Sequence, residues 1–523
     1  MPLLSLITFV PLVGAVLILA LKEERKGLIR GLALAAAGIP FLLSIYAYAG
    51  FTSSAGMQFM ENLSWIPSFN IHYKLGVDGL SLPMVLLTGL LSVISVWASF
   101  GIEKRIREYF FWFLLLETGM LGVFVSLDFF LFYVFWEITL VPMYFLIGVW
   151  GGPQKEYAAI KFFLYTLAGS VFMLLGILAL FFASGDPGAR TFDMIELSAR
   201  SPLFAGAKFW WVFLALYVGF AVKIPAFPFH TWLPLAHVEA PTAVSVILAG
   251  ILLKMGVYGL LRVNAAILPD LMIKFLPVLI IIAFINIIWG AFCAMGQRDM
   301  KRLVAYSSIN HMGYCLLGIA AITGSYSAAG LSGAMFQMVS HGIITGSLFL
   351  LVGIIYDRAH TRNMDEFGGL ASKMPLFAGL MTVQCMASLG LPGLAGFVGE
   401  FLCFLGAFGR TEQRIFVALS VIGILVTATF FLKLLKDVFL GEFNTKWEGR
   451  LSDVTGRELG TLAPLVALTV FFGVYPRPIL DATEAAVRFL VDKTSAAAAA
   501  PAASTPATSA AVPLPAPATA VPR

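Results

Sequence analysis

Residues 220–241 read FAVKIPAFPFHTWLPLAHVEAP. Lys223 ends a long apolar run, and Pro225 and Pro228 follow it closely. Each proline lacks the N–H that closes a helical turn and crowds the turn before it, so a helix through this stretch must break. Inside a bilayer, the carbonyls freed by such a break are tolerated only against protein or a hydrated cavity. Transporters build ion sites near the midplane in this way, with the broken helix ends as local dipoles. An inert, merely kinked helix is the plainer alternative.

Composition says which solvent surrounds the break. Of 523 residues, 59% are hydrophobic and only 12% charged, and the mean hydropathy is +0.91. A soluble domain carries about 25% charged residues, so a water-soluble enzyme and a disordered chain are excluded. The net charge of +5 comes from scattered basic residues, which excludes a nucleic-acid partner. The lipid bilayer is the implied partner.

A spanning helix needs about 20 mostly apolar residues. Fourteen stretches qualify: 3–21, 28–50, 80–100, 109–127, 129–149, 159–183, 208–239, 242–264, 271–294, 302–323, 331–355, 375–408, 414–438 and 460–476. The expected fold is therefore an all-α polytopic membrane protein. The first run has neither a basic flank nor a small-residue cleavage site, and it reads as a span, not a signal peptide. Loops after odd-numbered spans hold eighteen Lys and Arg against eight after even-numbered ones. The richer side should be cytoplasmic, which puts both termini on the periplasmic side. Residues 495–523, rich in Ala and Pro with one charge at Arg523, read as a disordered tail.

A second break echoes the first. Residues 385–408 read CMASLGLPGLAGFVGEFLCFLGAF, where Gly390, Pro392 and Gly393 interrupt an apolar run before Glu400. The broken spans are the seventh and the twelfth. Five is odd, so a five-span unit repeated in tandem takes opposite orientations in its two copies. Spans four to eight and nine to thirteen would then form an inverted pair.

Ionisable residues deep in the spans are the informative ones. Each costs about 2.5–3.5 kcal/mol at a helix centre, so they commonly mark an ion path. Glu117, Glu137, Lys223, Lys254 and Glu400 lie at such depth, as do His230, His237, His311 and His341. Snorkelling, structural ion pairing and satisfied core histidines are the alternatives. Burial disfavours a charged lysine and a nearby carboxylate restores it. A Glu137–Lys223 pair of variable separation would therefore switch a proton, with Lys254, Glu400 and the histidines as further stations. Cys293, Cys315, Cys385 and Cys403 lie in apolar runs without C-x-x-C spacing and read as small buried hydrophobes. No metal-ligand spacing and no nucleotide-binding or haem motif occurs.

Residues 135–152 (FWEITLVPMYFLIGVWGG), 222–262 (VKIPAFPFHTWLPLAHVEAPTAVSVILAGILLKMGVYGLLR) and 297–314 (QRDMKRLVAYSSINHMGY) resemble the antiporter-like membrane subunits of proton-pumping NADH:quinone oxidoreductase, respiratory complex I. The resemblance implies proton translocation driven by quinone reduction elsewhere in the complex, in a cell's inner membrane. It implies that Glu137 and Lys223 form the paired site, that Lys254 is the central lysine and that Glu400 is the terminal exchange group. His237, His311 and His341 would relay protons, while Glu117 and His230 match no family position clearly. No cofactor is expected in this chain; NADH, FMN, iron–sulfur clusters and quinone belong to partner subunits. L-type and N-type antiporter-like chains are expected neighbours, and they carry lysine where this chain has Glu400. The implied layout is 1–108 for the first three spans, 109–264 and 265–440 for the two repeats, 441–494 for a loop and the last span, and 495–523 for the tail. Multisubunit sodium/proton antiporters and membrane-bound hydrogenases share the resemblance.

Overall fold

A computed structural model describes residues 2–54, 56–410 and 413–499. Ten helices among the described residues are long and apolar enough to cross a membrane; Leu3–Leu19, Pro375–Ser388 and Ala395–Phe408 are apolar but shorter. Two of the long helices, Thr242–Ala265 and Ser327–Ala359, are enclosed by the others over their whole apolar windows. They carry Lys254 and His341. Close contact between elements rests on small residues: a Cβ on Gly406 would lie 2.2 Å from the Gly330 Cα, so the Ala395–Phe408 and Ser327–Ala359 helices cross backbone to backbone.

Both expected breaks are present. Trp210–Lys223 and Trp232–Glu239 are separate helices, with the prolines at 225 and 228 between them. Pro375–Ser388 and Ala395–Phe408 flank the second break, where Gly390 and Gly393 take φ of +82° and +91°, a region that favours glycine. A third interruption was not expected. It is slight: Phe129–Ile138 and Leu140–Trp150 meet at Thr139, whose backbone stays helical, so Phe129–Trp150 runs on as one span of 22 residues with a local irregularity. Pro142 explains it, because it cannot donate to the carbonyl four residues earlier. Thr242–Ala265 is continuous, but it contains π-turns at Leu248–Leu252 and Leu260–Ala265. π-turns are frequent at functional positions.

The structure corrects the all-α expectation. Gln58–Ile66 and Ile71–Val77 pair as an antiparallel hairpin, tied to the start of the Phe129–Ile138 helix by the Leu127 N–H donating to the Lys74 carbonyl at 2.9 Å. A further helix, Arg477–Ala499, follows the last long apolar one, Gly456–Val474. It buries Ile479, Ala482, Thr483, Ala486, Val487, Leu490 and Thr494, a spacing of three and four that fills one face. The expected tail therefore starts inside this helix, at 495–499; the rest of it lies outside the described residues.

Arg262, near the end of the 242–264 stretch, is buried and paired with Asp78 at 2.5 Å. Burial pushes the Asp78 carboxyl up. The Arg262 charge and hydrogen bond, with the N–H groups of Ser81 and Leu80, outweigh this and hold it below its ordinary 3.8. A depressed carboxyl stabilises the fold above its unfolded value and loses that contribution as pH falls through the folded one. Removing one partner of a buried pair costs about 3–5 kcal/mol. Asp78→Ala should accordingly lower the melting temperature of the purified protein at pH 7, with the gap to wild type narrowing below pH 4.

Candidate functional site: a buried line of ionisable side chains

Lys223 is the last residue of its helix, where the free carbonyl end favours a cation. Its Nζ donates to the Thr139 hydroxyl at 3.3 Å and lies 5.2 Å from the Trp136 ring centroid and 6.0 Å from that of Phe162. Glu137 is two residues before Thr139, half-buried, and its Oε1 has no hydrogen-bond partner among the described residues. The expected pair is thus near but not closed into an ion pair: the ammonium bonds Thr139, two residues along the chain from Glu137. The first break is held by Asn286, which accepts from the Phe227 N–H at 2.7 Å and donates to the Pro225 carbonyl at 3.2 Å. The Trp232 indole adds a bond to the Val222 carbonyl at 3.0 Å. These contacts satisfy groups that the prolines set free.

Lys254 sits just past the first π-turn, and its Nζ donates to the Ala249 carbonyl at 2.5 Å. It also meets His341 Nδ1 at 2.6 Å. The His341 and His311 rings are 5.3 Å apart between centroids. His311 Nε2 bonds to Ser388 Oγ at 2.9 Å, and its Nδ1 faces Gln337 at 3.4 Å. The same Nδ1 lies 3.2 Å from Glu400 Oε1, close enough for an ion pair but without hydrogen-bond geometry. Ser388 ends the helix before the second break, and a Cβ on Gly390 would lie 2.7 Å from Glu400 Oε2. Lys254, His341, His311 and Glu400 therefore lie in one line, all fully or almost fully buried, with the two imidazoles neighbouring but not hydrogen-bonded to each other.

The remaining expected residues stand apart from it. His237 is buried and stacks on Phe349 at 4.5 Å, and neither ring nitrogen has a hydrogen-bond partner among the described residues. His230 does not share a helix face with it, because the helix begins only at Trp232; it stacks on Phe227 inside the break. Glu117 is fully buried, and neither carboxylate oxygen has a hydrogen-bond partner among the described residues. Pro392 lies in the second break and touches none of the line by hydrogen bond, as expected of a residue without an N–H.

Sequence reading passed over Thr139, Asn286, Gln337 and Ser388, whose only signal is a polar side chain in an apolar run. It also took Lys301 for a loop residue. Lys301 is buried, donates to the Ala240 carbonyl at 2.5 Å, and lines a cavity of about 530 Å³ with Tyr109, Trp150, Glu239, Asp357 and Arg362. His237 directly precedes two lining residues, Val238 and Glu239. Among the described residues, no group of three or more His, Cys, Asp or Glu could hold a metal ion. The four cysteines are free, and three of them are buried.

Residues 126–427 match the family described as "NADH:quinone oxidoreductase/Mrp antiporter, TM". The chain is 42% identical over 503 residues to the NADH-quinone oxidoreductase subunit M of Rickettsia conorii, covering 94% of this chain and 99% of that one. It is 43% identical over 505 residues to subunit M of Rhodobacter capsulatus, at 94% and 96% coverage. A chain of respiratory complex I from Thermus thermophilus superposes with a TM-score of 0.83 at 31% identity, covering 94% of this chain and all of that one. A chain of the Mrp complex from Dietzia sp. DQ12-45-1b also reaches 0.83, at 22% identity, which speaks for the fold alone. The chain belongs to the NADH:quinone oxidoreductase/Mrp antiporter membrane-subunit family, on its subunit M branch.

Proposed function

We propose that this chain is a proton-translocating membrane-arm subunit of NADH:quinone oxidoreductase, moving protons along its buried line while quinone reduction elsewhere in the complex drives it. The observation that carries the reading is the succession Lys254–His341–His311–Glu400, on neighbouring helices and beside the second break. Charged groups this deep are costly, and a line of groups that can take up and release protons is what proton transfer needs. Lys223 would hold a proton while Glu137 is near and release it when the two separate. Thr139, hydrogen-bonded to Lys223, would hold its Nζ while the two are apart. Lys254 would pass the proton to His341, and Glu400 would exchange it at the end of the line. His237 stands ready as a bridge from the cavity lined by Lys301.

The same reading takes the chain as fourteen spans with helices four to eight and nine to thirteen as inverted repeats. It takes L-type and N-type chains as neighbours in the inner membrane, both termini as periplasmic, and NADH, FMN, iron–sulfur clusters and quinone as bound by partner subunits. Glu400→Gln cannot exchange a proton, and should leave an assembled complex whose pumping falls steeply in proteoliposomes. Co-purification of peripheral flavin and iron–sulfur chains in mild detergent supports the assignment. A small all-membrane assembly, with Na⁺-dependent collapse of ΔpH in vesicles lacking NADH dehydrogenase, would overturn it in favour of an antiporter.

A further inference from the structure

Glu117 lies off the line described above. The Leu82–Ala98 and Ile106–Val125 helices run antiparallel, joined by a short connection. At the joined end Ser99 Oγ and the Tyr109 hydroxyl are 2.9 Å apart. Seven residues back along the first helix is Ser92; eight residues on along the second is Glu117. At 1.5 Å per residue these distances are about 10 and 12 Å, so Ser92 and Glu117 stand opposite each other. The Ser92 hydroxyl approaches the carboxylate without completing a hydrogen bond. Ser92, Ser95 and Ser99 are spaced by three and four, which puts them along one face.

The seam is polar, buried and poorly satisfied. Ser92 Oγ, Ser95 Oγ and both oxygens of Glu117 are buried and have no protein partner among the described residues. Buried polar atoms are paired almost without exception, and water serves where protein does not. Ser99 and Tyr109 at the outer end line the 530 Å³ cavity at the end rich in Lys and Arg, so water has a route in. Two residues beyond Glu117, on the other side of the same helix, Gly119 packs on the methyl of Thr139: a Cβ there would lie 3.0 Å from Thr139 Cγ2. Thr139 is the residue bonded to Lys223.

We infer that Glu117 is a proton-carrying group in its own right, supplied from the cavity by water along the serine seam and discharging toward the Thr139–Lys223 site. A proton arrives from water on a carboxylate oxygen and leaves from the carboxyl to the next water; no other bond changes. The branch runs separately from the His341–His311 line, although it rests on the reading of Lys223 as a proton group.

The test uses the complete complex in proteoliposomes, with ΔpH formation and NADH oxidation measured together. Glu117→Gln keeps the size and polarity of the side chain but cannot carry a proton. It should lose most ΔpH formation, Glu117→Asp should restore much of it, and Ser92→Ala/Ser95→Ala should slow it. A Glu117→Gln complex that assembles and pumps like wild type overturns the inference, since a purely structural polar group tolerates glutamine. If Glu117→Gln does not assemble, unchanged pumping in the double serine variant overturns it instead. Loss of pumping in Lys223→Ala with wild-type pumping in Glu117→Gln would reject this branch and leave the Lys223 reading intact.

Discussion

Lys223→Ala should all but abolish proton pumping by the assembled complex, and NADH oxidation should fall with it because the two are coupled. The ammonium is buried at a helix end, bonded to Thr139 and flanked by the Trp136 and Phe162 rings. Among the described residues no other cation is bonded to Thr139, and alanine leaves the site without its ammonium. A positioned proton-transfer group contributes about 10²- to 10⁴-fold to the rate of its step. Its loss should therefore make passage through this chain limiting, by at least about a hundredfold at this site. Glu137→Ala should act in the same direction by removing the charge that tunes the lysine. ΔpH formation in proteoliposomes, read beside NADH oxidation, checks both. Wild-type pumping in the two variants would refute the switch.

Lys254→Arg has the second largest expected effect, although it conserves charge. Lys254 Nζ is held between the Ala249 carbonyl and His341 Nδ1, at 2.5 and 2.6 Å. That pocket suits a compact group that can give up a proton to the histidine. Arginine is a wider planar fork that does not deprotonate in proteins, and it has no acceptor. The complex should assemble, retain the buried charge and still lose most of its pumping. If the line were only a scaffold of paired charges, arginine would serve, and pumping close to wild type would say so.

How much of this could be read from the chain depended on the range of the interaction concerned. The two breaks were legible because proline and glycine act on their own backbone: Pro225, Pro228 and Pro392 disturb a helix whatever surrounds them. The depth of Lys223, Lys254 and Glu400 was legible because their apolar neighbours in sequence set it. The hairpin at 58–77 and the Arg477–Ala499 helix were not. Each is half polar and covers the bundle without spanning it, so a rule counting apolar residues passes over it. The interruption at Thr139 lay in plain sight at Pro142, but one proline in a strongly apolar run does not announce a break.

The line itself belongs to tertiary structure. His311 and His341 are thirty residues apart in different helices, and nothing local brings their rings to 5.3 Å. Small residues do this from outside the site: a Cβ on Gly318 would lie 2.5 Å from the Gly330 carbonyl, so the helices of His311 and His341 pack closely, and Gly390 turns the chain above Glu400. Asn286 meets the first break from a third helix. By itself, the sequence determined the solvent, the breaks and the residues able to carry a proton, because composition and backbone chemistry act locally. Which of those residues touch, and that Thr139 is the one bonded to Lys223, was decided only when the helices packed, since a proton passes by contact across space and not along the chain.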